Sequence, residues 1–297
     1  MSNRFSYFNT ASRIFWILFG LILIFCLFRF DKLFFNQDGI VERILPKKDE
    51  TVIPDTIPPI SSDTGDLKTF VWEWATPQTS WKLKGKEFKI VFQISEEAIS
   101  ASEKNHNAPL SRNENFYEKL YLHDASIIHP MVDRYKELAI KNKLNYIETL
   151  EMVVSSIQSI PYTWILLENP SCGQKYRGQV IPPKNCLVNP EPNGCCDGVK
   201  YGVYSPVEFA VKKTGDCDTR TLFAFTILKK MGFDIAIMGS SSEWHSVLGV
   251  NILGYEPGNG HRGNIGEAKN YFLWELTTYG PYLGVSYGGN DWEISLK

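Results

Sequence analysis

The segment TLFAFTILKKMGFD, at residues 221–234, limits the possible folds more than any other part of the chain. Its apolar side chains would lie nearly all the way round a helix, so that helix must be covered on all sides. Lys229 and Lys230 followed by Gly232 are typical of a helix C-terminus. The sequence therefore predicts a domain organised around a central, buried helix.

This helix is preceded by Gly215-Asp216-Cys217-Asp218, which places Cys217 in its first turn. Unpaired backbone N–H groups and the helix dipole favour a thiolate there. The same N–H groups could receive an oxyanion formed on a substrate. A free cysteine is more often a small buried hydrophobic residue, so the position of Cys217 alone does not identify a nucleophile.

Two predicted strands downstream carry the other residues that a cysteine nucleophile uses. A short strand over 235–238 is followed by WHSVLGV at 244–250, with His245 at its start, and by YFLWELT at 271–277, with Glu275 in its middle. A carboxylate in so apolar a strand is costly without a partner. In a Cys–His–acid relay, His245 takes the thiol proton and Glu275 orients the imidazole.

These residues also carry a family resemblance. GDCDTRTLFAFTILKKMGFD, EWHSVLGV and YFLWELT together resemble the transglutaminase-like superfamily, which has a papain-like fold, and VSSIQSIPY resembles the segment before its catalytic region. The resemblance is strong over 146–280 and weak over 67–145. It implies an α+β domain in which a core helix bearing the cysteine packs on an antiparallel sheet, with Cys217, His245 and Glu275 as nucleophile, base and orienting acid.

The sequence departs from the superfamily pattern at three points. It has a cysteine-rich insertion over 170–200, and it has Glu275 where Asp is commoner, with Asp291 as an alternative acid. The additional oxyanion donor is not assigned, and Tyr162 and Gln158 are its candidates.

One branch of the superfamily, the bacterial transglutaminase-like cysteine proteinases of the periplasm, binds calcium through acids beside its cysteine. The resemblance therefore makes Asp216 and Asp218 calcium candidates. The favoured interpretation assigns no cofactor: Asp216 caps the helix and Asp218 complements its dipole.

The insertion at 170–200 is rich in turn-forming residues and has no periodic apolar pattern, so an external constraint must order it. Two disulfides with three alternative connectivities would supply that constraint. Zinc is the less favoured alternative, because no C-x2-C pair is present. The candidate residues are Cys172, Cys186, Cys195 and Cys196.

The N-terminal region carries an uncharged apolar run, IFWILFGLILIFCLF, at residues 14–28. A helix of that length rises about 22 Å, less than a ~30 Å hydrocarbon core, so residues up to 35 are included in a predicted anchor over 14–35. A cleaved signal peptide is the alternative, but no small-x-small cleavage site follows the run. Lysine and arginine bias does not decide the orientation. The cysteine cluster favours an oxidising compartment, which places the domain on the periplasmic side of a bacterial inner membrane.

The remaining organisation follows from composition. A short tail at 1–13 precedes the anchor, a proline-rich tether covers 36–66, and one domain covers 67–297. That domain opens with a β-rich part over 67–113, in which 98–113 is polar and predicted to be a loop. Two helices are predicted next, over 124–142 and 146–159.

Charge and motifs limit the functions that fit. A formal net charge of -2 provides no global cationic field for nucleic acid. The first hypothesis is a membrane-anchored thiol enzyme acting on amide bonds of a protein or peptide in the cell envelope, with hydrolysis favoured over transamidation. The second is a non-catalytic binding module of the cell envelope on the same scaffold. A disulfide oxidoreductase is least favoured, because the chain lacks C-x-x-C.

Overall fold

The computed structural model describes residues 66–80, 82–165, 175–176, 179–180, 195–196, 198–252, 260–263, 266–286, 289 and 291–297. The α-helices of this part are α1 (Glu96–Asn107), α2 (Phe116–Ile127), α3 (His129–Lys141), α4 (Tyr146–Gln158), α5 (Pro206–Lys212) and α6 (Cys217–Lys230). Its strands are β1 (Leu67–Ala75), β2 (Glu87–Ser95), β3 (Trp164–Ile165), β4 (Lys175–Tyr176), β5 (Gln179–Val180), β6 (Cys195–Cys196), β7 (Ile235–Ser240), β8 (His245–Val250), β9 (Phe272–Trp274) and β10 (Glu293–Leu296). Short 3-10 helices lie at Lys200–Gly202 and Gly266–Asn270.

The fold is α+β, as the sequence predicts. The main sheet is antiparallel and has the strand order β10-β7-β8-β9. Strands β1 and β2 form a separate antiparallel hairpin, β3 pairs with β6 in parallel, and β4 pairs with β5.

Helix α6 lies between the hairpin and the main sheet, which explains its apolar residues on every face. On one side, the ring of Phe223 stacks on Trp72 of β1 at 5.4 Å between centroids. On the other side, α6 packs against β7 and β8. Leu222, Phe223 and Ile227 are fully buried. The side chains buried between α6 and the elements on its two sides therefore form the main core of the domain.

The β1–β2 hairpin packs on one side of α6 with its one apolar face. Residues along β2 alternate between exposed and buried, with Phe88, Ile90 and Phe92 turned inward. The indole of Trp72 donates to the Ala210 carbonyl at 3.1 Å and that of Trp74 to the Ser155 hydroxyl at 3.2 Å, which ties the hairpin to α5 and α4.

The predicted loop over 98–113 is wrong for its first part, because 96–107 forms helix α1. Ser95 caps this helix by accepting from the Ala98 N–H, and Glu96 and Glu97 complement its dipole. Its buried residues are polar: Ser102 and His106 are held by hydrogen bonds rather than by apolar packing. The helix therefore lacks the apolar periodicity by which a sequence reveals a helix.

The predicted helix over 124–142 is divided into α2 and α3. Ile128 lies between them and serves as the C-cap of the first and the N-cap of the second, with Pro130 at the start of α3. Proline lacks the N–H that a continuous helix would use, so the chain starts a new helix there. The second predicted helix, over 146–159, is confirmed as α4 and begins with a capping box of Asn145 and Glu148.

Several predictions lie outside the described residues. They are the tail, the predicted anchor at 14–35, nearly all of the tether, and most of the cysteine-rich segment, including Cys172 and Cys186. Within the described ranges, no helix is long and apolar enough to span a membrane. Cys195 and Cys196 are described as backbone only, in strand β6.

Candidate active site

The loop between α5 and α6 places Cys217. Helix α5 begins with a capping box of Ser205 and Glu208, and its C-cap is Lys213, which adopts a left-handed conformation with φ of 51°. Asp216 is the N-cap of α6, and its carboxylate accepts from the Thr219 N–H at 3.1 Å. Cys217 is therefore the first residue of a buried helix, as the sequence predicts.

His245 and Glu275 form a buried pair. His245 is the first residue of β8, and its Nε2 atom lies 2.8 Å from Glu275 Oε2. Glu275 follows β9 directly rather than lying inside a strand, and it is fully buried. Because Nε2 is engaged by Glu275, Nδ1 is the ring nitrogen that remains for a thiol proton.

Hydrogen bonds keep Glu275 ionised. Its Oε1 atom accepts from the Leu276 N–H, the Thr277 N–H and the Thr277 hydroxyl, at 2.9, 2.9 and 2.7 Å. Burial alone would raise the pKa of this carboxyl, but its bonds to His245 and Thr277 and the charge of His245 lower it overall. An ionised carboxylate held by these donors can orient the imidazole without taking its proton.

Packing of α6 against β8 brings the cysteine to the strand that carries the histidine. Burial raises the pKa of the Cys217 thiol, and hydrogen bonding from the backbone of Ser246, the residue after His245, acts in the opposite direction. The hydroxyl of Thr221, one turn along α6, donates to the Ser246 carbonyl at 3.3 Å. Of the residues predicted as a Cys–His–acid set, His245 and Glu275 are hydrogen-bonded to each other, and Cys217 begins the helix that packs against the strand of His245.

Asp218 lies beside the sulfur at the centre of a second polar group. Its Oδ2 atom accepts from the Cys217 thiol at 3.8 Å, and its Oδ1 atom accepts from the Ser246 hydroxyl at 2.5 Å and from the Tyr117 hydroxyl. Tyr117 lies on α2, so this group ties α2 to α6. In this conformation the thiol points its proton towards Asp218.

Cys217 differs from the sequence expectation in its ionisation. Burial raises the pKa of its thiol well above the usual range, and the charges of Asp218 and Asp216 raise it further. The side chain is only 3% exposed. Hydrogen bonding from the Ser246 backbone acts in the opposite direction but does not outweigh these effects. Burial and these charges therefore favour the protonated form of the thiol.

An aromatic residue screens the histidine. The ring of Trp292 meets that of His245 edge to face, with centroids 6.0 Å apart, and Trp292 is 2% exposed. Its indole donates to the Gly289 carbonyl at 3.1 Å, which fixes its orientation. Exclusion of water by such a ring strengthens the ionic interaction between His245 and Glu275.

The other candidates occupy different positions. The carboxylate of Asp291 accepts from the hydroxyls of Ser240, Ser241 and Ser242, whereas the acid bonded to His245 is Glu275. Gln158 donates to the carbonyls of Glu275 and Pro281 at 2.7 and 2.9 Å, so its amide supports the acid instead of an oxyanion.

The second oxyanion candidate, Tyr162, pairs with Gly215 in a short parallel bridge. Its ring lies 5.4 Å from the guanidinium carbon of Arg220. Asp216, one of the two calcium candidates, is the N-cap of α6. Among the described residues, no group of three or more His, Cys, Asp or Glu side chains is placed to hold a metal ion.

Sequence reasoning missed two residues at this site, Tyr117 and Arg220. Tyr117 lies in α2 ahead of the helix predicted over 124–142, whereas Arg220 lies in the predicted core helix. The partners of both are far away in the sequence, because Tyr117 meets Asp218 and Arg220 meets carbonyls near 157–160 and 276. The one local signal was an arginine inside an otherwise apolar helix, where a buried charge requires partners.

Comparison with protein-family models, with curated proteins and with solved structures found no match to this chain.

Proposed function

We propose that this protein is a membrane-anchored thiol enzyme of the transglutaminase-like, papain-like type, most consistent with a cysteine peptidase or amidase. The observation that carries the proposal is the buried His245–Glu275 pair, whose histidine lies on the strand that packs against the Cys217 helix. A histidine whose Nε2 is oriented by an ionised carboxylate, next to a thiol, is the arrangement that nucleophilic catalysis requires.

In the proposed reaction, His245 acts as a general base because the thiol is neutral. As Nδ1 takes the thiol proton, Sγ forms a bond to the substrate carbonyl carbon. The carbonyl oxygen becomes an oxyanion, which the backbone N–H groups in the first turn of α6 can receive. Glu275 remains ionised and stabilises the imidazolium that forms.

In the second half of the proposed reaction, the proton held by His245 passes to the leaving group. His245 gives it to the leaving amine, the C–N bond breaks, and a thioester on Cys217 remains. Water, deprotonated by His245, then attacks the thioester and releases a carboxylic acid and the thiol. An acceptor amine in place of water would give transamidation. Hydrolysis is favoured on the resemblance, whose bacterial members resemble proteases more often than cross-linking enzymes.

The proposed location follows from the sequence alone. The apolar run within 14–35 would hold the enzyme in a bacterial inner membrane, and the cysteines of 170–200 suit the oxidising periplasm. The substrate would then be a protein or peptide of the cell envelope.

The proposal is tested by incubating the full chain in detergent with a peptide library and detecting cleavage and thioester adducts by mass spectrometry. We expect cleavage in the parent protein and an acyl group on Cys217, and we expect both to be lost in Cys217→Ala. The matched control is Thr226→Ser, a similarly conservative change at a buried position further along the same helix. Cleavage that persists in Cys217→Ala would contradict the proposal.

A non-catalytic binding module is the second candidate, and one observation favours it. The Cys217 side chain is almost fully buried, and the pKa of its thiol is raised, which suits a structural cysteine. This alternative predicts no acyl adduct and a thiol whose reactivity does not depend on His245.

A further inference from the structure

Arg220 is a fully buried arginine held by backbone carbonyls. Its Nε donates to Gly215 at 3.0 Å, its Nη1 to Ile157 at 3.3 Å and Leu276 at 3.0 Å, and its Nη2 to Ile160 at 2.6 Å. These carbonyls belong to the end of α4, the loop before Cys217 and the residue after Glu275. The guanidinium is therefore fixed where the segments of the candidate site meet.

Within the described part of the chain, no carboxylate forms an ion pair with this guanidinium. Carbonyl dipoles satisfy its N–H groups but leave its net positive charge in the protein interior. A buried charge is strongly unfavourable unless opposite charge lies near it. Burial lowers the pKa of Arg220 to about 10, while Tyr162, Asp216, Cys217 and Glu275 raise it by their negative charge when ionised.

The position of Arg220 directs its charge towards the nucleophile. Arg220 follows Cys217 by three residues, so the two lie on the same face of α6. The bond from its Nε to the Gly215 carbonyl shows that the side chain runs back to the N-terminal end of the helix. The charge thereby adds to the positive end of the helix dipole.

We infer that Arg220 is a positioning residue of the proposed reaction, whose buried guanidinium is the counter-charge that favours the thiolate form of Cys217. Interaction between two charges is reciprocal, so a thiolate that stabilises the cation is stabilised by it to the same extent. Arg220 thus opposes Asp216 and Asp218, whose charges hold the thiol protonated. The inference rests on the proposed function, because it assigns an effect on the nucleophile.

The test measures the pH midpoint of Cys217 alkylation by iodoacetamide in the full chain, with mass spectrometry locating the label. Arg220→Gln removes the charge but keeps hydrogen-bonding capacity, and Arg220→Lys keeps the charge but loses the planar fork. Arg134→Gln, on the exposed side of α3, is the matched control. We expect the midpoint to rise by about one pH unit in Arg220→Gln, which is about a tenfold loss of thiolate at neutral pH.

Arg220→Lys and Arg134→Gln should keep a midpoint close to that of the parent. A folded Arg220→Gln protein with the parent midpoint would overturn the inference. If Arg220→Gln does not fold, the test uses Arg220→Lys, which keeps the positive charge. An alkylation midpoint higher in Arg220→Lys than in the parent would show that a positive charge at this position does not stabilise the thiolate.

The failures of the two proposals are distinguishable. A parent midpoint that is unchanged by His245→Ala contradicts the proposed function, whatever Arg220 does. A midpoint that depends on His245 but not on Arg220 contradicts the present inference alone.

Discussion

His245 and Glu275 are joined by a 2.8 Å hydrogen bond between Nε2 and Oε2, with the carboxylate fully buried and the imidazole 12% exposed. The acid is screened from water, while the base keeps an exposed edge. This difference in exposure is consistent with a Glu275 that orients the imidazole and a His245 that exchanges protons with other groups.

Glu275→Gln tests the orienting role of the carboxylate. The amide has the same shape but lacks the charge that stabilises an imidazolium and fixes its tautomer, so we expect neutral-pH alkylation of Cys217 to fall by about tenfold or more. Loss of the ionic hydrogen bonds should also lower the free energy of unfolding by about 1–3 kcal/mol. Asp291→Asn, which alters the acid bound to the Ser240–Ser242 turn, is the control. Equal effects of the two substitutions on alkylation would contradict the assignment.

Asp218→Asn should make Cys217 more acidic. After burial, the negative charge of Asp218 is the largest cause of the raised thiol pKa, and asparagine removes that charge while keeping an acceptor for Tyr117. We expect the alkylation midpoint to move to lower pH, with Asp133→Asn on α3 leaving it unchanged. A midpoint that rises in Asp218→Asn would show that this carboxylate assists ionisation of the thiol instead.

The buried His106–Glu208 pair, at 2.5 Å, should make stability depend on pH. Burial alone would lower the pKa of His106, but the hydrogen bond and charge of Glu208 raise it above 6.5. Burial alone would raise the pKa of Glu208, but His106 and Lys212 lower it to about 2.

The contribution of this pair to stability is therefore lost at high pH through His106 and at low pH through Glu208. The His106 contribution is complete below pH 6.5 and is lost as pH rises through the raised pKa. The Glu208 contribution is complete above pH 4.5 and is lost as pH falls towards about 2. We expect His106→Gln to cost about 3–5 kcal/mol of unfolding free energy inside this window and less in alkaline buffer. Urea titrations across pH measure this difference, and a cost independent of pH would contradict the expectation.

Gly215→Ala should disturb the loop that places Cys217. An added Cβ would lie 2.7 Å from Thr219 Cγ2 and 3.0 Å from the Phe209 ring, closer than packed atoms allow. We expect a loss of about 1–3 kcal/mol in unfolding free energy, together with slower alkylation of Cys217. Thermal unfolding and labelling report the two effects. A stable variant with parent reactivity would show that the loop has room to move.

The sequence was sufficient to predict an element where the residues of that element alone indicate its type and ends. Helix α6 was predicted from its continuous apolar faces and from Gly232 after its C-terminus. The positions of Cys217 and His245 at a helix start and a strand start followed from these local patterns.

The sequence was insufficient where stability comes from polar contacts between distant residues. Helix α1 buries Ser102 and His106 against Asp124, Ser205 and Glu208, and no local pattern marks such a face. Nor could the sequence show that burial and the charges of Asp218 and Asp216 would raise the pKa of the thiol. That balance depends on burial and on contacts made by the fold.

The most direct test of the account is the pH dependence of Cys217 alkylation in the parent protein and in His245→Ala. If His245 withdraws the thiol proton, the parent midpoint should lie at least about one pH unit below that of the variant. Coincident midpoints would show that the histidine does not act on the thiol and would contradict the proposed catalytic relay.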